Sequence, residues 1–435
     1  MIIADDLGYG DLSVYGQTKF TTPNLDRMAR EGMRFTQAYS GSTVCAPSRA
    51  VLMTGLHTGH AHIRGNGEYP LRPQDVTIAE VLKRAGYRTG VIGKWGLGLA
   101  DNTGRPDRQG FDESFGFLHH IHAHRQYTDH LWRNGERVAV DPERDYANDL
   151  FTAEAVNFLN RNKQQPFFLY LAYTNPHAEL RVPEDSLAEF RGKFLETPFV
   201  NRQLDERSPT SPWRYRGYRS QPTPRAAFAA MVTRMDRDIG RLLAHLKEQG
   251  VDDNTIVFFT SDNGPHKEGG ADPEFFNSNG ELRGIKRDLY EGGIRVPFIA
   301  RWPGQVKAGT VNPHQLAFWD MLPTFAELAG ARAPAKLDGI SQRATLMNQK
   351  QKSHDYLYWE FFEGGFTQAV RMGDWKGVKL PRKSVELYDL QSDPGERQDI
   401  AAENPQIATR IARIMTTARS ESKLWPAEAM PSAKP

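Results

Sequence analysis

Polar side chains that can bind a metal follow two short apolar segments of this sequence. Asp5 and Asp6 follow the segment at the start of the chain, and Asp262 and Asn263 follow residues 255–260. Carboxylate and amide oxygens, without sulfur or imidazole, are the ligands that hard cations such as calcium and magnesium prefer. Asp-Asp and Asp-Asn-Gly are also ordinary turn residues at strand ends. Two such pairs at the strand ends of one sheet nevertheless favour a metal site.

Two more apolar segments are followed by residues that can bind an anion or transfer a proton. Lys94 follows residues 88–92, and His177 follows residues 167–173. In open α/β sheets, ligands bind outside the carboxyl ends of the strands. We therefore expect Lys94 and His177 to share one rim of the sheet with the acidic pairs.

The chain has a single cysteine, Cys45, in the segment Cys-Ala-Pro-Ser-Arg. Pro47 follows it, and an apolar helical pattern then ends at Gly55, which places Cys45 at the N-terminus of a helix. Such an end favours anions through its free N–H groups and its dipole. Arg49, one turn into the helix, is expected to reach back toward the side chain at position 45. A lone cysteine forms no intramolecular disulfide, so it is either a buried small hydrophobe or a reactive group.

The composition excludes some classes of partner. The 435 residues include 55 Lys and Arg against 53 Asp and Glu, a formal net charge of +2. This balance gives no electrostatic reason to expect a nucleic acid or a membrane surface as partner. No apolar run is long enough to span a bilayer, so we expect no membrane span. The chain reaches Asp5 almost at once, so we expect no signal peptide.

Apolar, β-branched segments alternate with segments of helical period, which predicts an α/β fold with a large mixed, mostly parallel sheet and helices on both faces. The predicted strands cover residues 1–4, 88–92, 167–173, 255–260 and 296–300. The predicted helices cover residues 24–31, 77–85, 146–162, 224–249 and 318–329. Residues 179–222, rich in proline and arginine, are predicted to form a long surface excursion.

The pattern changes after about residue 330 to short aromatic strands and a final helix. The strands are predicted at residues 356–361, 368–372, 375–379 and 386–390, and the helix at 406–420. These segments predict a small antiparallel α+β subdomain. We therefore divide the chain into a catalytic domain, residues 1–335, and a C-terminal subdomain, residues 336–435.

The segment from Cys45 to Arg49 resembles the Cys-X-Pro-Ser-Arg signature of the formylglycine-dependent sulfatases, in particular bacterial arylsulfatases. Further blocks of the family have similar counterparts here, at residues 5–11, 92–95, 261–264, 284–297 and 387–396. The resemblance runs through nearly the whole chain. It implies an alkaline-phosphatase-like fold and the hydrolysis of sulfate monoesters, on a sulfated carbohydrate or another sulfate ester.

The same resemblance implies a role for each residue of the site. One Ca²⁺ would be held by residue 45, oxidised to formylglycine by a maturation enzyme, together with Asp5, Asp6, Asp262 and Asn263. Arg49 would steady the hydrated aldehyde, and the sulfate oxygens would be bound by Lys94, His177 and Lys286. A charged sulfuryl group must be neutralised before an oxygen nucleophile can approach it, which a metal and positioned cations achieve.

One position departs from the family pattern. The family usually has Lys-Trp-His where this chain has Lys-Trp-Gly, so the imidazole is missing at Gly96. Residues 119–124 contain four histidines, and we expect one of them to supply the acid–base group. His124 is the first candidate and His122 the second. A solvated surface loop and a zinc site are the alternatives for this cluster.

Two other functions are compatible with the resemblance. A phosphonate or phosphate ester hydrolase of the same superfamily would use the same modified cysteine, although Asn263 replaces the histidine usual in two-metal phosphatases. A non-catalytic relative that binds sulfated glycans would have no physical need for the full set of site residues. Family members usually have a longer apolar strand before the Asp-Asp pair, which indicates a shortened start here. The resemblance implies a periplasmic or extracellular location.

Overall fold

The computed structural model describes residues 1–201 and 217–427 of the chain. The strands are β1 (Ile2–Asp5), β2 (Met33–Phe35), β3 (Ala38–Tyr39), β4 (Arg88–Lys94), β5 (Glu113–Phe117), β6 (His130–Arg133), β7 (Glu136–Ala139), β8 (Phe167–Pro176), β9 (Val257–Ser261), β10 (Phe298–Arg301), β11 (Thr310–Asn312), β12 (Leu316–Ala317), β13 (Leu357–Phe361), β14 (Thr367–Met372), β15 (Trp375–Lys379) and β16 (Val385–Asp389). The helices are α1 (Pro23–Arg30), α2 (Cys45–Thr54), α3 (Ile78–Arg84), α4 (Ala147–Asn162), α5 (Glu184–Ala188), α6 (Pro224–Glu248), α7 (Pro273–Phe276), α8 (Glu291–Ile294), α9 (Met321–Leu328), α10 (Arg343–Leu346) and α11 (Pro405–Thr417).

A ten-stranded sheet forms the centre of the molecule, in the order β11-β2-β10-β9-β1-β8-β4-β5-β6-β7. Its central strands, from β9 to β5, run parallel. β10 is antiparallel to β9 and β2, and β6 and β7 form an antiparallel edge. The predicted mixed, mostly parallel sheet is confirmed. The four strands expected to precede the polar residues, β9, β1, β8 and β4, are direct neighbours, so their carboxyl ends share one edge.

Side chains of the central strands alternate between two hydrophobic layers, as the two-residue period of a strand requires. Ile3 and Tyr170 belong to one layer, whereas Ile2 and Leu171 belong to the other. α2, α3 and α9 cover the first layer, and α4 and α6 cover the second. Helices therefore flank the sheet on both faces, as predicted.

Capping residues fix the predicted helices close to their expected ends. α3 begins after Thr77, whose side chain accepts from the Glu80 N–H while the Glu80 carboxylate accepts from the Thr77 N–H. This reciprocal capping box satisfies two N–H groups that have no partner inside the helix. Gly250 follows α6 with a φ of +67°, the conformation in which glycine ends helices. None of the described helices, not even the 25-residue α6, is long and apolar enough to cross a membrane.

The segment 179–222, predicted as a surface excursion, contains α5. The carboxylate of Asp185 on α5 lies 2.9 Å from the guanidinium of Arg234 on α6. Phe199 and Gln221 form an isolated antiparallel bridge, which brings the two sides of the excursion together. Residues 202–216 of this prediction lie outside the described part of the chain.

The C-terminal strands β13–β16 form the predicted antiparallel sheet, and α11 packs on one of its faces. The other face joins the core of the large sheet, since Trp359 and Val378 lie in the same cluster as Ile3. The indole N–H of Trp359 donates to the carbonyl of Ser40 at 3.0 Å. The two parts of the chain thus share one hydrophobic core, and the boundary at residue 335 stays a prediction.

A buried ion cluster also joins the C-terminal sheet to the large one. Lys376 on β15 is completely buried, and its ammonium lies 2.8 Å from Glu291 and 3.5 Å from Glu396. The hydroxyl of Tyr39 donates to the second oxygen of Glu291 at 2.7 Å. Burial raises the pKa of Glu396 to about 7, which makes the nearby ammonium important for its ionised form.

The substitution Lys376→Met is expected to lower the free energy of unfolding by about 3–5 kcal/mol, because Glu291 and Glu396 stay buried without the ammonium between them. The guanidinium groups of Arg295 and Arg371 lie farther from Glu291, at 3.5 Å. Lys379→Met on the same strand is the matched control, since Lys379 is exposed. It is expected to change the free energy by less than about 0.5 kcal/mol. Equilibrium urea unfolding of both variants measures the difference. Equal stabilities of the two variants would show that the buried cluster does not hold the two sheets together.

Candidate active site

The carboxyl edge of the central sheet gathers all the residues predicted to form a site, and nearly all of them are buried. β1, β4, β8 and β9 end there, and α2 begins beside them. The side chains collected at this edge are those of Asp5, Asp6, Cys45, Arg49, Lys94, His177, Asp262, Asn263 and Lys286, with His124 half-buried beside them. At Gly93, directly before Lys94, β4 approaches β8 so closely that a Cβ would lie 1.9 Å from the carbonyl oxygen of Ala172.

Cys45 is the first residue of α2, as the proline after it predicts. Its Sγ lies 3.2 Å from Asp5 Oδ1 and 3.8 Å from Asp6 Oδ1. The N–H of Ala46 donates to Asn66 Oδ1 at 3.2 Å, which caps the helix from a neighbouring loop. Burial and the carboxylates of Asp262 and Asp5 raise the pKa of the Cys45 thiol well above its ordinary value. An unmodified Cys45 therefore stays protonated.

The Ser-Arg pair of the cysteine motif ties α2 to the loop after β9. Ser48 Oγ donates to the carbonyl of Asp262 at 2.5 Å. Arg49 donates through Nε and Nη2 to Asp262 Oδ2, at 2.9 and 2.8 Å, and through Nη1 to the carbonyl of Lys94 at 2.6 Å. The guanidinium of Arg49 is therefore held on Asp262, and it lies 3.7 Å from Asp5. The helix start, β4 and β9 are fixed to one another through this single side chain.

Each of the two aspartates at the end of β1 binds a lysine. Asp5 Oδ2 accepts from Lys94 Nζ, and Asp6 Oδ2 accepts from Lys286 Nζ, both at 2.7 Å. Asp6 Oδ1 accepts from Asn263 Nδ2 at 2.6 Å. Asp6 has a backbone φ of +63°, a conformation that non-glycine residues adopt at a cost and that clusters at functional sites.

The oxygen donors of this cluster fit a hard cation. Asn263 Oδ1 is buried and has no hydrogen-bond partner among the described residues. Ligand atoms of Asp5, Asp6, Cys45 and His177 all lie within 4.8 Å of one another. Burial and the neighbouring Asp5 raise the pKa of Asp262, although the charges of Arg49 and Lys94 oppose this shift. Calcium takes six to eight oxygen ligands, so carboxylates, an amide oxygen and a substrate oxygen suit it.

The cations at this edge form the anion-binding part of the cluster. Although burial opposes ionisation, the Asp5 carboxylate keeps the pKa of Lys94 above its ordinary value, and Asp6 does the same for Lys286. His177 Nδ1 donates to the carbonyl of Ala178, so Nε2 of the neutral ring accepts from Lys286 Nζ at 3.2 Å. Two buried ammonium groups and one imidazole therefore face the same space as the cysteine.

Three imidazole rings form a stack above this space. His124 lies 4.1 Å from His177, centroid to centroid, with 19° between the ring planes. His266 lies 5.4 Å from His177 on an almost parallel plane. Burial, together with the charges of Lys94 and Lys286, lowers the pKa of His124 well below its ordinary value. The first candidate for the missing imidazole is thus in contact with a predicted sulfate-binding residue.

The second candidate, His122, belongs to a different cluster. Its Nε2 lies 2.7 Å from Thr128 Oγ1, and its ring is 4.4 Å from that of His130. Ligand atoms of His122, Asp129 and His130 come within 4.8 Å of one another, which is the geometry that the zinc alternative requires. However, a guanidinium nitrogen of Arg137 lies 3.3 Å from His130 Nδ1 and 3.1 Å from Asp129, and a cation in that place disfavours a metal.

The glycine that replaces the expected histidine leaves open space. Gly96 has a φ of +77°, and a Cβ built on it would have one neighbour within 4 Å, the Cβ of His120 at 3.6 Å. The histidine segment 119–124 therefore lies next to the position where the imidazole is missing. That a histidine of this segment supplies the acid–base group stays a prediction.

Three residues beside the site, His266, Glu268 and Tyr218, were not predicted from the sequence. His266 is four residues beyond Asp262 in the loop after β9, and Glu268 follows it. Tyr218 donates its hydroxyl to Glu268 at 3.0 Å, and its ring is 5.7 Å from that of His124. His266 could have been predicted, because it lies on the same loop as Asp262 and Asn263. Tyr218 has no such signal, because it lies in the segment without clear periodicity.

Known proteins and protein families are similar to this chain over most of its length. A family model described as Sulfatase matches residues 1–331, and one described as N-sulphoglucosamine sulphohydrolase, C-terminal, matches residues 284–421. The N-acetylgalactosamine-6-O-sulfatase of Bacteroides thetaiotaomicron is 29% identical, with 96% of this chain and 92% of the relative covered. The N-acetylgalactosamine-6-sulfatase of Mus musculus is 32% identical, with 86% and 70% covered. The crystal structure of Ps i-CgsB in complex with k-i-k-neocarrahexaose has a TM-score of 0.80 and 30% identity, with 96% and 91% covered.

Calcium is expected to stabilise this protein against thermal unfolding through the oxygen donors of the site. At 100 times the dissociation constant, a ligand that binds only the native state adds about 2.7 kcal/mol of stability. Asn263→Ala should strongly reduce this gain, because it removes the buried amide oxygen. Asn254→Ala, at an exposed position just before the same strand β9, should retain it. Thermal unfolding of chelated protein with added CaCl₂ measures both. A wild type insensitive to calcium, or two variants with equal gains, would contradict the assignment.

Proposed function

The chain belongs to the sulfatase family and is a sulfuric ester hydrolase, and from this premise we propose that it hydrolyses sulfate monoesters of carbohydrates with a formylglycine made from Cys45. The observation that supports the proposal most is the position of Cys45. Its Sγ lies at a helix N-terminus, 3.2 Å from Asp5, within a ring of buried cations. The names of the relatives support a sugar, since two are N-acetylgalactosamine 6-sulfatases.

Formylglycine at position 45 explains why one cysteine stands among carboxylates. In its hydrated form it supplies two hydroxyl groups, one to displace the alcohol from sulfur and one whose deprotonation restores the aldehyde and releases sulfate. A serine at this position would lack the second route. The modification requires a formylglycine-generating maturation enzyme, which is a partner of this protein in the proposal. Arg49, anchored on Asp262, holds the helix turn that presents the side chain.

We assign one Ca²⁺ to the residue at position 45 and to Asp5, Asp6, Asp262 and Asn263. When bound, the ion supplies a Lewis acid that polarises the sulfate ester and offsets the charge of the attacking oxygen. The observation behind the assignment is the buried amide oxygen of Asn263, which has no partner among the described residues.

Lys94, Lys286 and His177 bind the sulfuryl oxygens in this proposal, His177 in the doubly protonated form that a bound anion favours, because Nε2 of the neutral ring has no N–H to donate. An ammonium group has three N–H donors, and one donor of each lysine is directed to an aspartate. The other donors of Lys94 are available to a substrate oxygen. Lys286 Nζ also lies within hydrogen-bond distance of His177 Nε2 and Glu268 Oε2, so a sulfuryl oxygen replaces one of these two contacts while the ion pairs with the aspartates stay intact. Positioned donors of this kind each contribute on the order of 10²–10³ in turnover.

His124 takes the acid–base role for which Gly96 has no side chain. A sugar alkoxide is too basic to leave without a proton, and an imidazolium can supply one. Burial and the charges of Lys94 and Lys286 lower the pKa of His124 well below its ordinary value, and in this proposal the negative charge of the bound sulfate ester raises it again. The stacking of His124 on His177 supports this role, because it places the centroid of the His124 ring 4.1 Å from that of a proposed sulfate-binding residue. Imidazole general acids contribute about 10²–10⁴ in rate.

Protein produced with the maturation enzyme is expected to carry an aldehyde at position 45 and to release sulfate from sugars. Peptide mass spectrometry detects the loss of the thiol, and a panel of N-acetylgalactosamine 6-sulfate and k-i-k-neocarrahexaose measures sulfate release. Protein produced without the maturation enzyme is the control, together with Cys45→Ala. Both should be inactive, because neither contains the nucleophile. Full activity of protein with a free thiol at position 45 would overturn the proposal.

His124→Ala is expected to lower turnover of a panel sugar about 10²–10⁴-fold, because the sugar alkoxide needs a proton. The loss on 4-methylumbelliferyl sulfate should be much smaller, since its leaving group is stable as an anion. His122→Ala is the matched control from the same histidine segment, because its ring belongs to the Thr128 and His130 cluster. Thermal unfolding of both variants checks folding. If His124→Ala and His122→Ala give the same ratio of sugar to aryl turnover, His124 is not the acid.

A further inference from the structure

Arg287, the residue after Lys286, has an unusual backbone conformation. Its φ is +80°, in the left-handed region that favours glycine. The N–H of Arg287 donates to the carbonyl of Thr43 at 3.1 Å, two residues before Cys45. The conformation therefore ties the lysine loop to the turn of the nucleophile. A glycine would adopt this conformation without strain. The presence of an arginine at position 287 must therefore be explained by what its side chain does.

The guanidinium of Arg287 lies at the rim of the pocket between two carboxylates. Nε donates to Glu363 Oε2 at 2.9 Å, and Nη1 donates to Glu268 Oε1 at 2.7 Å. The side chain of Arg287 is 46% exposed and that of Glu363 is 37% exposed. Nη2 of Arg287 and Oε1 of Glu363 make no hydrogen bond among the described residues. One donor and one acceptor are thus presented to solvent beside the site.

Glu268 connects this rim to the sulfate-binding residues. Its Oε2 lies 3.5 Å from Lys286 Nζ and 3.8 Å from His177 Nε2, while its Oε1 holds Arg287. The Glu268 carboxylate thus lies between the ammonium of Lys286 and the guanidinium of Arg287. Glu363 comes from the turn between β13 and β14, so the C-terminal sheet contributes the second carboxylate that holds Arg287.

Stability alone does not account for Arg287. Ion pairs of partly exposed side chains contribute little to folding, and Arg287 is 46% exposed while Glu363 and Glu268 are 37% and 22% exposed, so the two pairs do not offset a strained backbone. Strained residues are found where the surrounding structure needs a particular side chain in a particular place. Arg287 is a half-exposed cation that shares Glu268 with the sulfate-binding Lys286, and a guanidinium with a free donor suits an oxygen-rich group.

We propose that Arg287 and Glu363 form a saccharide subsite, in which Arg287 Nη2 donates to an oxygen of the sulfated sugar and Glu363 accepts from one of its hydroxyls. Glu268 is the positioning residue that holds Arg287 next to Lys286. This inference rests on the proposed hydrolysis of sugar sulfates and adds the residues that select the sugar. The subsite does not contribute to the binding of an aryl sulfate, because an aryl sulfate has no hydroxyls.

Arg287→Gly tests the subsite, because glycine relieves the backbone strain and removes the guanidinium. Its kcat/KM on the panel sugars is expected to fall about 10–100-fold, mainly through KM, as for the loss of a hydrogen bond from a charged group. The ratio of sugar to 4-methylumbelliferyl sulfate kcat/KM should fall at least tenfold. Arg382→Gly is the matched control, since Arg382 is an exposed arginine with a φ of +61° in the turn after β15. That variant should keep the wild-type ratio.

Glu363→Gln provides a second variant that leaves the strained loop unchanged and is also expected to lower the sugar ratio several-fold. An equal loss on sugar and aryl esters in Arg287→Gly would show that Arg287 acts through Lys286, which overturns the subsite. An unchanged ratio in both variants would overturn it as well. If the wild type releases sulfate from neither sugar, the proposed sugar hydrolysis fails and the subsite fails with it. A subsite failure alone leaves wild-type sugar turnover intact.

Discussion

Three carboxylates and three cations lie out of water at the carboxyl edge of the central sheet, paired one to one, and the rest of the site depends on them. The pairs are Asp5–Lys94, Asp6–Lys286 and Asp262–Arg49. Removing one member of a buried ion pair typically costs about 3–5 kcal/mol, because the other charge stays buried. Every element that carries a member is therefore held in place: β1, β4, α2 and the loops that follow β9.

The charges of this frame are paired and positioned before any substrate binds, which is the condition for strong electrostatic stabilisation of a transition state. Two residues next to the anion-binding Lys286 have strained backbone conformations. Asp6, which pairs with its ammonium, has a φ of +63°, and Arg287, the next residue in the chain, has a φ of +80°. Both residues direct charged side chains into or beside the pocket. Strain in such positions is compensated by the packed surroundings, here the completely buried helix α2.

Much of the fold and the site follows from local sequence patterns. The alternation of strands and helices predicts the sheet, and the parallel order of β9, β1, β8 and β4 brings the polar residues after each strand to one edge. Pro47 and Gly55 predict the helix that starts at Cys45. The roles of the histidines at 119–124 are harder to predict from sequence, because His122 and His124 are two residues apart in a single turn and their rings belong to different clusters. Sequence spacing does not decide which ring faces the pocket. Arg287 and Glu363 were not predicted either, since their contact joins a loop to a distant sheet.

The central claim is that the buried ion pairs frame a site for one hard cation and one sulfate ester. A crystal structure of Cys45→Ala, which has no nucleophile at position 45, in complex with Ca²⁺ and an intact sugar sulfate tests it most directly. We expect one ion bound by Asp5, Asp6, Asp262 and Asn263, and sulfuryl oxygens within hydrogen-bond distance of Lys94 and Lys286. A sulfate ester bound elsewhere, or a calcium ion that no oxygen of these four residues coordinates, would contradict the account.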